Sequence, residues 1–554
     1  MKAPFKLLLS GVALTSLFAF TQGTIDGKSQ KSNKLAIDTP DQDRFVKVTL
    51  SKGQFTEPTE MAVLPNYDIL VSQRRGEFVL YKNATKTIKD AGKLDVYHKT
   101  SVPNVNAEEG LLGMALDPNF ATNKFVYAFY SPVGKSVNRL SRFKFVDDKI
   151  AVASEKVVLE FYSQREICCH TGGSIAFGPG NLLYVSAGDN STPFDVPDQK
   201  FVNNGYAPLD NRKDLHQYDA RRSAGNTNDL RGKILRIKMN ADGTYSIPDG
   251  NLFAKNDPKA KPEIYVMGNR NPYRISVDQK TGYLYWGEVG PDASKDSLAR
   301  GPRGYDEVNQ ARKAGNFGWP LFIGKNYPYK AYDYTTGTSG ESFDPQAPIN
   351  NSPNNTGLTQ LPPAQNAFIW YPYGKSEEFP QVGEGGRTAM AGPVYYAKPG
   401  LSPYPAYYNG KLIIYEWVRG WVKAVTMAPN GDYFSMEPFM ANVPLAAPID
   451  MELGPDNKIY ILEYGKGWFA KNPDAALVRI DYITGKKPLP IAAKKPTGAT
   501  PMGHQTGAPK EMIGKTLMSK SDCAACHKVS GASVGPAFNK VAAKYKSDTK
   551  AADY

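Results

Sequence analysis

One phrase recurs along this chain: an apolar strand, a turn of Pro, Asp, Asn or Gly, then an aromatic-rich strand. It occurs at residues 60–73 (EMAVLPNYDILVSQ), 113–131 (GMALDPNFATNKFVYAFYS) and 174–189 (SIAFGPGNLLYVSAGD). It returns at residues 274–290 (RISVDQKTGYLYWGEVG), 424–434 (AVTMAPNGDYF) and 450–465 (DMELGPDNKIYILEYG). Each copy reads as a β-hairpin, because Gly, Asn and Asp supply the turn while aromatic and β-branched residues supply the strands. A lone hairpin cannot bury its own faces, so the copies must stack. Their spacing, usually roughly fifty residues or more, has the scale of a propeller blade with insertions. The reading is an all-β chain, a six-bladed β-propeller over residues 43–483, with a β-sandwich as the structural alternative. The 33 Tyr, 50 Gly and 42 Pro suit many short strands joined by tight turns.

The flanks differ from this body. Lys2 and Lys6 stand beside a mostly apolar run, residues 7–20, of the length of a signal-peptide core and too short for a comfortable membrane span. Residues 1–23 are therefore expected to be a signal peptide, with a retained N-terminal anchor as the alternative. The chain is expected to be periplasmic or secreted, with no integral membrane segment after cleavage. Residues 24–42 are polar and expected to be disordered; residues 484–510, rich in Pro, Gly, Ala and Lys, read as a flexible linker. The net charge of +13 is spread along the chain rather than clustered, which fits a solvated basic surface and argues against a nucleic-acid partner.

Beyond the linker stands Cys523-Ala-Ala-Cys526-His527. Two thiols so spaced on a helical turn can each form a thioether to a haem vinyl group, and the adjacent His then sits beneath the iron. A redox disulfide would need a surrounding βαβ pattern, and zinc would need a second Cys/His pair. Neither is present, so the motif implies covalent haem c with His527 as iron ligand. An amphipathic stretch from Ile513 precedes it and Val534-Gly-Pro-Ala-Phe538 follows; together these resemble the small bacterial class I cytochromes c, a small α-helical segment over residues 511–554. In that family a Met further downstream is the second axial ligand. No Met follows His527 before Tyr554, so this segment is expected to be incomplete.

The most unusual stretch of the body is Cys168-Cys169-His170-Thr-Gly-Gly. A His before a Gly-rich strand entry has an unperturbed pKa near neutrality and suits a general base, though a structural His on a blade turn has the same pattern. The motif stands in an ordered series: residues 109–120 (EGLLGMALDPNF), Leu230-Arg-Gly-Lys-Ile-Leu-Arg236, Gly268-Asn-Arg-Asn-Pro272, Gly290-Pro291, Asp306-Glu-Val-Asn309 and Gly315-Asn-Phe-Gly-Trp-Pro320. The series resembles the soluble glucose/sorbosone dehydrogenases that depend on pyrroloquinoline quinone (PQQ), and the resemblance covers nearly all of residues 43–483.

What the resemblance implies attaches to particular positions. His170 matches the base that takes the sugar's hydroxyl proton while hydride moves to the quinone. Arg270 matches the residue that polarises the quinone, and Asn271 a cofactor contact. Gly290 and Pro291 match the carbonyls that hold Ca2+. Three departures stand beside these matches. Glu108 occupies the place of a family Gln, and Cys169 is taken to replace the Asp that orients the base. The cationic clamp for the quinone's carboxylates is missing from residues 444–450 (PLAAPID), with Arg419 adjacent to the position of a family Lys. Arg74, Arg75, Arg387, Arg419 or Lys423 are the available replacements.

Cys168 and Cys169 are expected to pair as a strained vicinal disulfide beside His170, two free buried thiols being the alternative. The functional expectation is an exported dehydrogenase that oxidises an aldose or related alcohol and passes electrons through covalent haem to an acceptor protein or terminal oxidase. The alternative is a glycan-binding propeller tethered to an electron-transfer cytochrome without catalysis of its own.

Overall fold

The computed structural model describes residues 39–485 apart from residue 104. The expectations for residues 1–38 and 486–510, and for Cys523, Cys526 and His527, fall outside the described residues. The described chain is nearly all β, as six radial sheets form a closed ring. Their inner strands are Pro58–Val63, Leu111–Leu116, Gly172–Gly178, Pro272–Val277, Ala389–Tyr395 and Pro448–Leu453. Each lies beside the next, and the last lies beside the first. Five sheets have four strands, while the third carries additional strands at its outer side. The six-bladed propeller read from the hairpin repeats is the fold.

Five of the recurring phrases form the inner hairpins of their blades, for example Pro58–Val63 against Ile69–Gln73 and Gly172–Gly178 against Leu182–Ala187. The phrase at residues 424–434 is instead the outer hairpin of the fifth blade, Val422–Met427 against Tyr433–Pro438. That blade's inner pair, Ala389–Tyr395 with Lys411–Glu416, is joined by the long connection of residues 396–410 in place of a short hairpin loop. The ring closes through the N-terminal strand. Phe45–Lys52 runs antiparallel to Ala476–Tyr482, with Phe45 opposite Tyr482, so the sixth blade is built from both ends of the propeller.

Aromatic side chains pack the blades together. Tyr81, Tyr127, Tyr184, Tyr285 and Tyr371 are fully buried, and Trp286 meets Phe317 edge-on at 4.7 Å. Removing a Phe-sized side chain from water contributes about 1.5–3 kcal/mol, so the high aromatic content is used where blade faces meet. The axis is tied by charge. Glu60 in the first blade accepts hydrogen bonds from Arg274 Nη1 in the fourth (2.5 Å), Ser174 Oγ in the third (2.7 Å) and the Met114 amide in the second (2.5 Å). Arg274 also donates to the carbonyls of Thr59 and Ile449, and Asp450 of the sixth blade accepts from the Met61 amide. Five inner strands thus share one buried polar network, which has its partners because an isolated buried charge would be prohibitive.

Candidate active site

In an antiparallel blade the start of the inner strand and the end of its neighbour lie at the same end. The residues there converge on a cavity of about 390 Å³. Glu108, Cys168–His170, Arg270–Asn271 and Arg387 enter ahead of four inner strands; Gly290, Asp292, Trp417 and Trp468 follow the partner strands. The sequence-predicted residues His170, Arg270, Asn271, Glu108, Gly290, Cys168 and Cys169 all line this one cavity. Pro291 lines a small recess shared with His170 and Arg270.

His170 is buried, with a left-handed backbone (φ 59°) that few non-glycine residues adopt. Two clamps hold it there. The Glu108 carboxylate accepts from the amide of His170 (2.8 Å), and the Asn190 amide donates to the His170 carbonyl (3.1 Å). Its Nδ1 lies 2.9 Å from Asp189 Oδ1. A carboxylate only accepts, so Nδ1 carries the proton and Nε2 is left as the basic nitrogen. Asp189 is itself fixed by Trp319 Nε1 (2.8 Å) and the Ser191 amide (2.8 Å). Burial alone would raise the Asp189 carboxyl, but the facing His170, Arg270 and the Ser191 amide hold it below its ordinary value. Asp189 therefore stays ionised beneath the imidazole.

This corrects one expectation. Cys169 does not stand in for the orienting carboxylate; Asp189 supplies it from the far end of the same hairpin. Gly172 pairs with Ala187, so the residues flanking that pair, His170 and Asp189, are brought together by the register. The sulfurs of Cys168 and Cys169 meet in the cavity wall, with the Glu108 carboxylate alongside.

Arg270 is buried, donates from Nη1 to the Val289 carbonyl (3.0 Å) and lies 3.7 Å from Asp292. The amides of Arg270 and Asn271 both donate to Glu288 Oε1 (2.7 and 2.5 Å), which fixes the turn. Asn271 Oδ1 accepts from the Gly172 amide, so the turn is also tied to the strand that follows His170.

The proposed cationic replacements separate sharply. Arg74 and Arg75 both pair with Glu57, and neither lines the cavity. Arg419 is also corrected: its guanidinium donates to the carbonyls of Pro372, Val382, Gly383, Gly385 and Gly386, which folds it into the loop instead of presenting it to a ligand. Lys423 lies over the Trp421 ring at 5.5 Å and is likewise outside the cavity. Arg387 alone among them faces the cavity.

Sequence reasoning missed Asp189 and the aromatic wall, and read Asp306 as part of a family motif without giving it a place in the site. Tyr273, Tyr373, Trp417, Trp468 and Phe469 surround the cavity, with Met390 and Ile449 between them. This wall suits a planar ring, and Arg270 and Arg387 suit its oxygens and a carboxylate, so a quinone of this class fits the residues present. The calcium expected on Gly290 and Pro291 does not fit as well. The Pro291 carbonyl already accepts from Arg387 Nη2 (2.7 Å). Asp306, the nearest buried carboxylate, is taken by Arg387 Nη1 (2.9 Å) and the amides of Gly290 and Ala389 (both 3.0 Å). Calcium takes six to eight oxygens, and this corner offers a guanidinium where those ligands should be.

Comparison with known proteins agrees with the geometry. The Glucose / Sorbosone dehydrogenase family matches residues 55–361, and the Cytochrome c family matches residues 512–554. Aldose sugar dehydrogenase YliI of Escherichia coli is 27% identical over 289 residues, 51% of this chain and 64% of that protein. Quinoprotein glucose dehydrogenase B of Acinetobacter calcoaceticus is 25% identical over 447 residues, 74% of this chain and 80% of that protein. Cytochrome c-551 of Allochromatium vinosum is 48% identical over 48 residues, 9% of this chain and 51% of that protein. Among solved structures, an oxidoreductase of Thermus thermophilus described as a glucose dehydrogenase superposes with a TM-score of 0.51 at 21% identity, covering 79% of this chain and 99% of that one, a likeness of fold. With family matches to both parts of the sequence and a six-bladed ring in the structure, the chain belongs to the glucose/sorbosone dehydrogenase family and carries a C-terminal cytochrome c domain.

Proposed function

We propose that the chain is a PQQ-dependent dehydrogenase that oxidises the C–OH group of an aldose or related alcohol and delivers electrons to its own covalent haem c. The observation that carries this reading is the His170–Asp189 pair set in the wall of the cavity that Arg270 and Asn271 also line. The quinone, when bound, supplies a two-electron acceptor for hydride. His170 Nε2 takes the hydroxyl proton, and Asp189 stabilises the imidazolium that results. Arg270 directs positive charge at the oxygen where negative charge develops, while Trp417, Trp468 and Phe469 exclude water and stack on rings. A c-type haem accepts single electrons, so a tethered haem domain gives a two-electron centre its outlet. An electron-acceptor protein or terminal oxidase would follow. Export to the periplasm accords with covalent haem, and no helix among the described residues is long and apolar enough to cross a membrane.

A second reading, a glycan-binding propeller without catalysis, draws on one observation. Arg74, Arg75, Arg419 and Lys423 all lie outside the cavity, so a tri-anionic cofactor meets two guanidinium groups beside Glu108, Asp292 and Asp306. Reconstitution with PQQ, followed by dye reduction with a panel of aldoses, separates the two. Turnover that His170→Ala abolishes, with the fold and haem spectrum retained, supports the dehydrogenase. Sugar binding with neither quinone binding nor turnover supports the binding module.

A further inference from the structure

Among the candidate replacement cations of the sequence, Arg387 is the one that the cavity receives. It is buried and faces the ligand space, with its guanidinium held on three sides: Asp306 at 2.9 Å, the Pro291 carbonyl at 2.7 Å and the Tyr373 ring at 3.8 Å. Its Nε is buried without an acceptor among the described residues. Gly290 and Gly304 leave room for it, since a Cβ at either would strike the backbone of this corner, and the nitrogens of Arg387 come next. Asp306 and the Pro291 carbonyl take two of the five guanidinium N–H groups, so a side chain fixed in the cavity wall keeps donors for a ligand oxygen.

We propose that Arg387 is the resident cation of this cavity: a guanidinium, fixed by Asp306 and Pro291, that receives an oxygen of the bound quinone where the family resemblance expects calcium. The inference deepens the dehydrogenase reading and rests on it for the ligand. Its physical basis is the donor set. A divalent cation here would share the Pro291 oxygen with a guanidinium and find Asp306 already neutralised. Asp292 is the remaining carboxylate of this corner, and Arg270 faces it at 3.7 Å. An arginine carries only part of a calcium ion's charge density, but it is never lost to a chelator and its planar fork matches a quinone carbonyl or carboxylate.

The test uses the full chain stripped of metals, with terbium(III) as the calcium probe and PQQ as the ligand. Tyr373 and Trp417 stand in the cavity wall as sensitisers of terbium emission. In the wild type we expect no sensitised emission that depends on Asp292, and a PQQ dissociation constant that changes less than about twofold between chelator and excess calcium. Arg387→Met should weaken PQQ at least tenfold in chelator, gain terbium emission that Asp292→Asn removes, and recover part of its PQQ affinity with calcium. Arg387→Lys, which keeps the charge, should lie between. Wild-type emission abolished by Asp292→Asn, or wild-type PQQ binding lost in chelator and restored by calcium, overturns the inference. If Arg387→Met does not fold, these two wild-type measurements decide it. If PQQ binds under neither condition, the dehydrogenase reading fails, and the terbium measurement alone judges Arg387.

Discussion

His170 Nδ1 lies 2.9 Å from Asp189 Oδ1, and Asp189 is held in turn by the indole of Trp319. The contact fixes the tautomer of the imidazole and compensates the charge it gains on taking a proton. Asp189→Asn keeps the shape but offers the ring an amide that cannot hold the same proton as firmly. We expect kcat to fall on the order of 10²–10⁴-fold, with PQQ binding and the haem spectrum unchanged. Steady-state dye reduction checks this, and a loss under about tenfold would show that the pair is structural.

Gly188 makes a second, steric prediction about the same imidazole. A Cβ at that position would collide with the His170 carbonyl and crowd the Thr171 amide. Gly188→Ala should therefore push His170 out of line without touching the ligand, costing on the order of 10²-fold in turnover. Far-UV circular dichroism would confirm the fold, and unchanged turnover would mean that this strand entry adapts freely.

Arg274 binds the axis. It contacts Glu60, Thr59 and Ile449 from within the ring, all of them buried. Arg274→Met leaves Glu60 without its cation and should lower stability by about 3–5 kcal/mol, read as a shift in the urea midpoint. A shift below about 1 kcal/mol would place the closure energy in the apolar blade interfaces instead.

The buried carboxyls give stability a pH dependence with a definite sign. Burial pushes Glu60, Glu109 and Glu416 up to about 7 from an ordinary 4.5, against the pull of Arg274 on Glu60 and Arg165 on Glu109. Between those values the folded chain holds protons that the unfolded chain has released. Their contribution is thus fully present below pH 4.5 and is lost as pH rises through about 7. Asp68, Asp189 and Asp229 are depressed and act oppositely in more acidic solution. The urea midpoint should be higher near about pH 5 than near about pH 8, and Glu60→Gln should flatten the difference. The reverse order would contradict it.

The blade repeat was legible because a hairpin is a local object: its turn residues and strand periodicity lie within some twenty residues of sequence. The fifth blade's inner hairpin escaped because its strands are joined by the long connection of residues 396–410, which contains turns of its own, instead of by one short loop. At the site, His170, Arg270 and Gly290 were readable from family motifs, and Asp189 was within reach once the register of Gly172 with Ala187 is considered. Arg387 was named only as one of five candidate cations and Asp306 only as the start of a family motif; that the two would pair was not readable. Their partnership joins residues 81 positions apart, and nothing in residues 384–388 (EGGRT) distinguishes a buried guanidinium from a solvated one. The misreading of Arg419 has the same origin: proximity in sequence to a family Lys says nothing about which carbonyls capture the side chain.

The pairing of Phe45–Lys52 with Ala476–Tyr482 has a temporal consequence. A ribosome releases the first of these strands hundreds of residues before the second, so the opening strand must wait, exposed along one edge, until nearly the whole circle of blades has been made. Assembly cannot be completed vectorially; it ends with the meeting of the oldest and youngest parts of the propeller. A chain threaded across a membrane from its N-terminus would meet the same delay, and a chaperone that shields one bare strand would matter more to its yield than one that guards the middle blades.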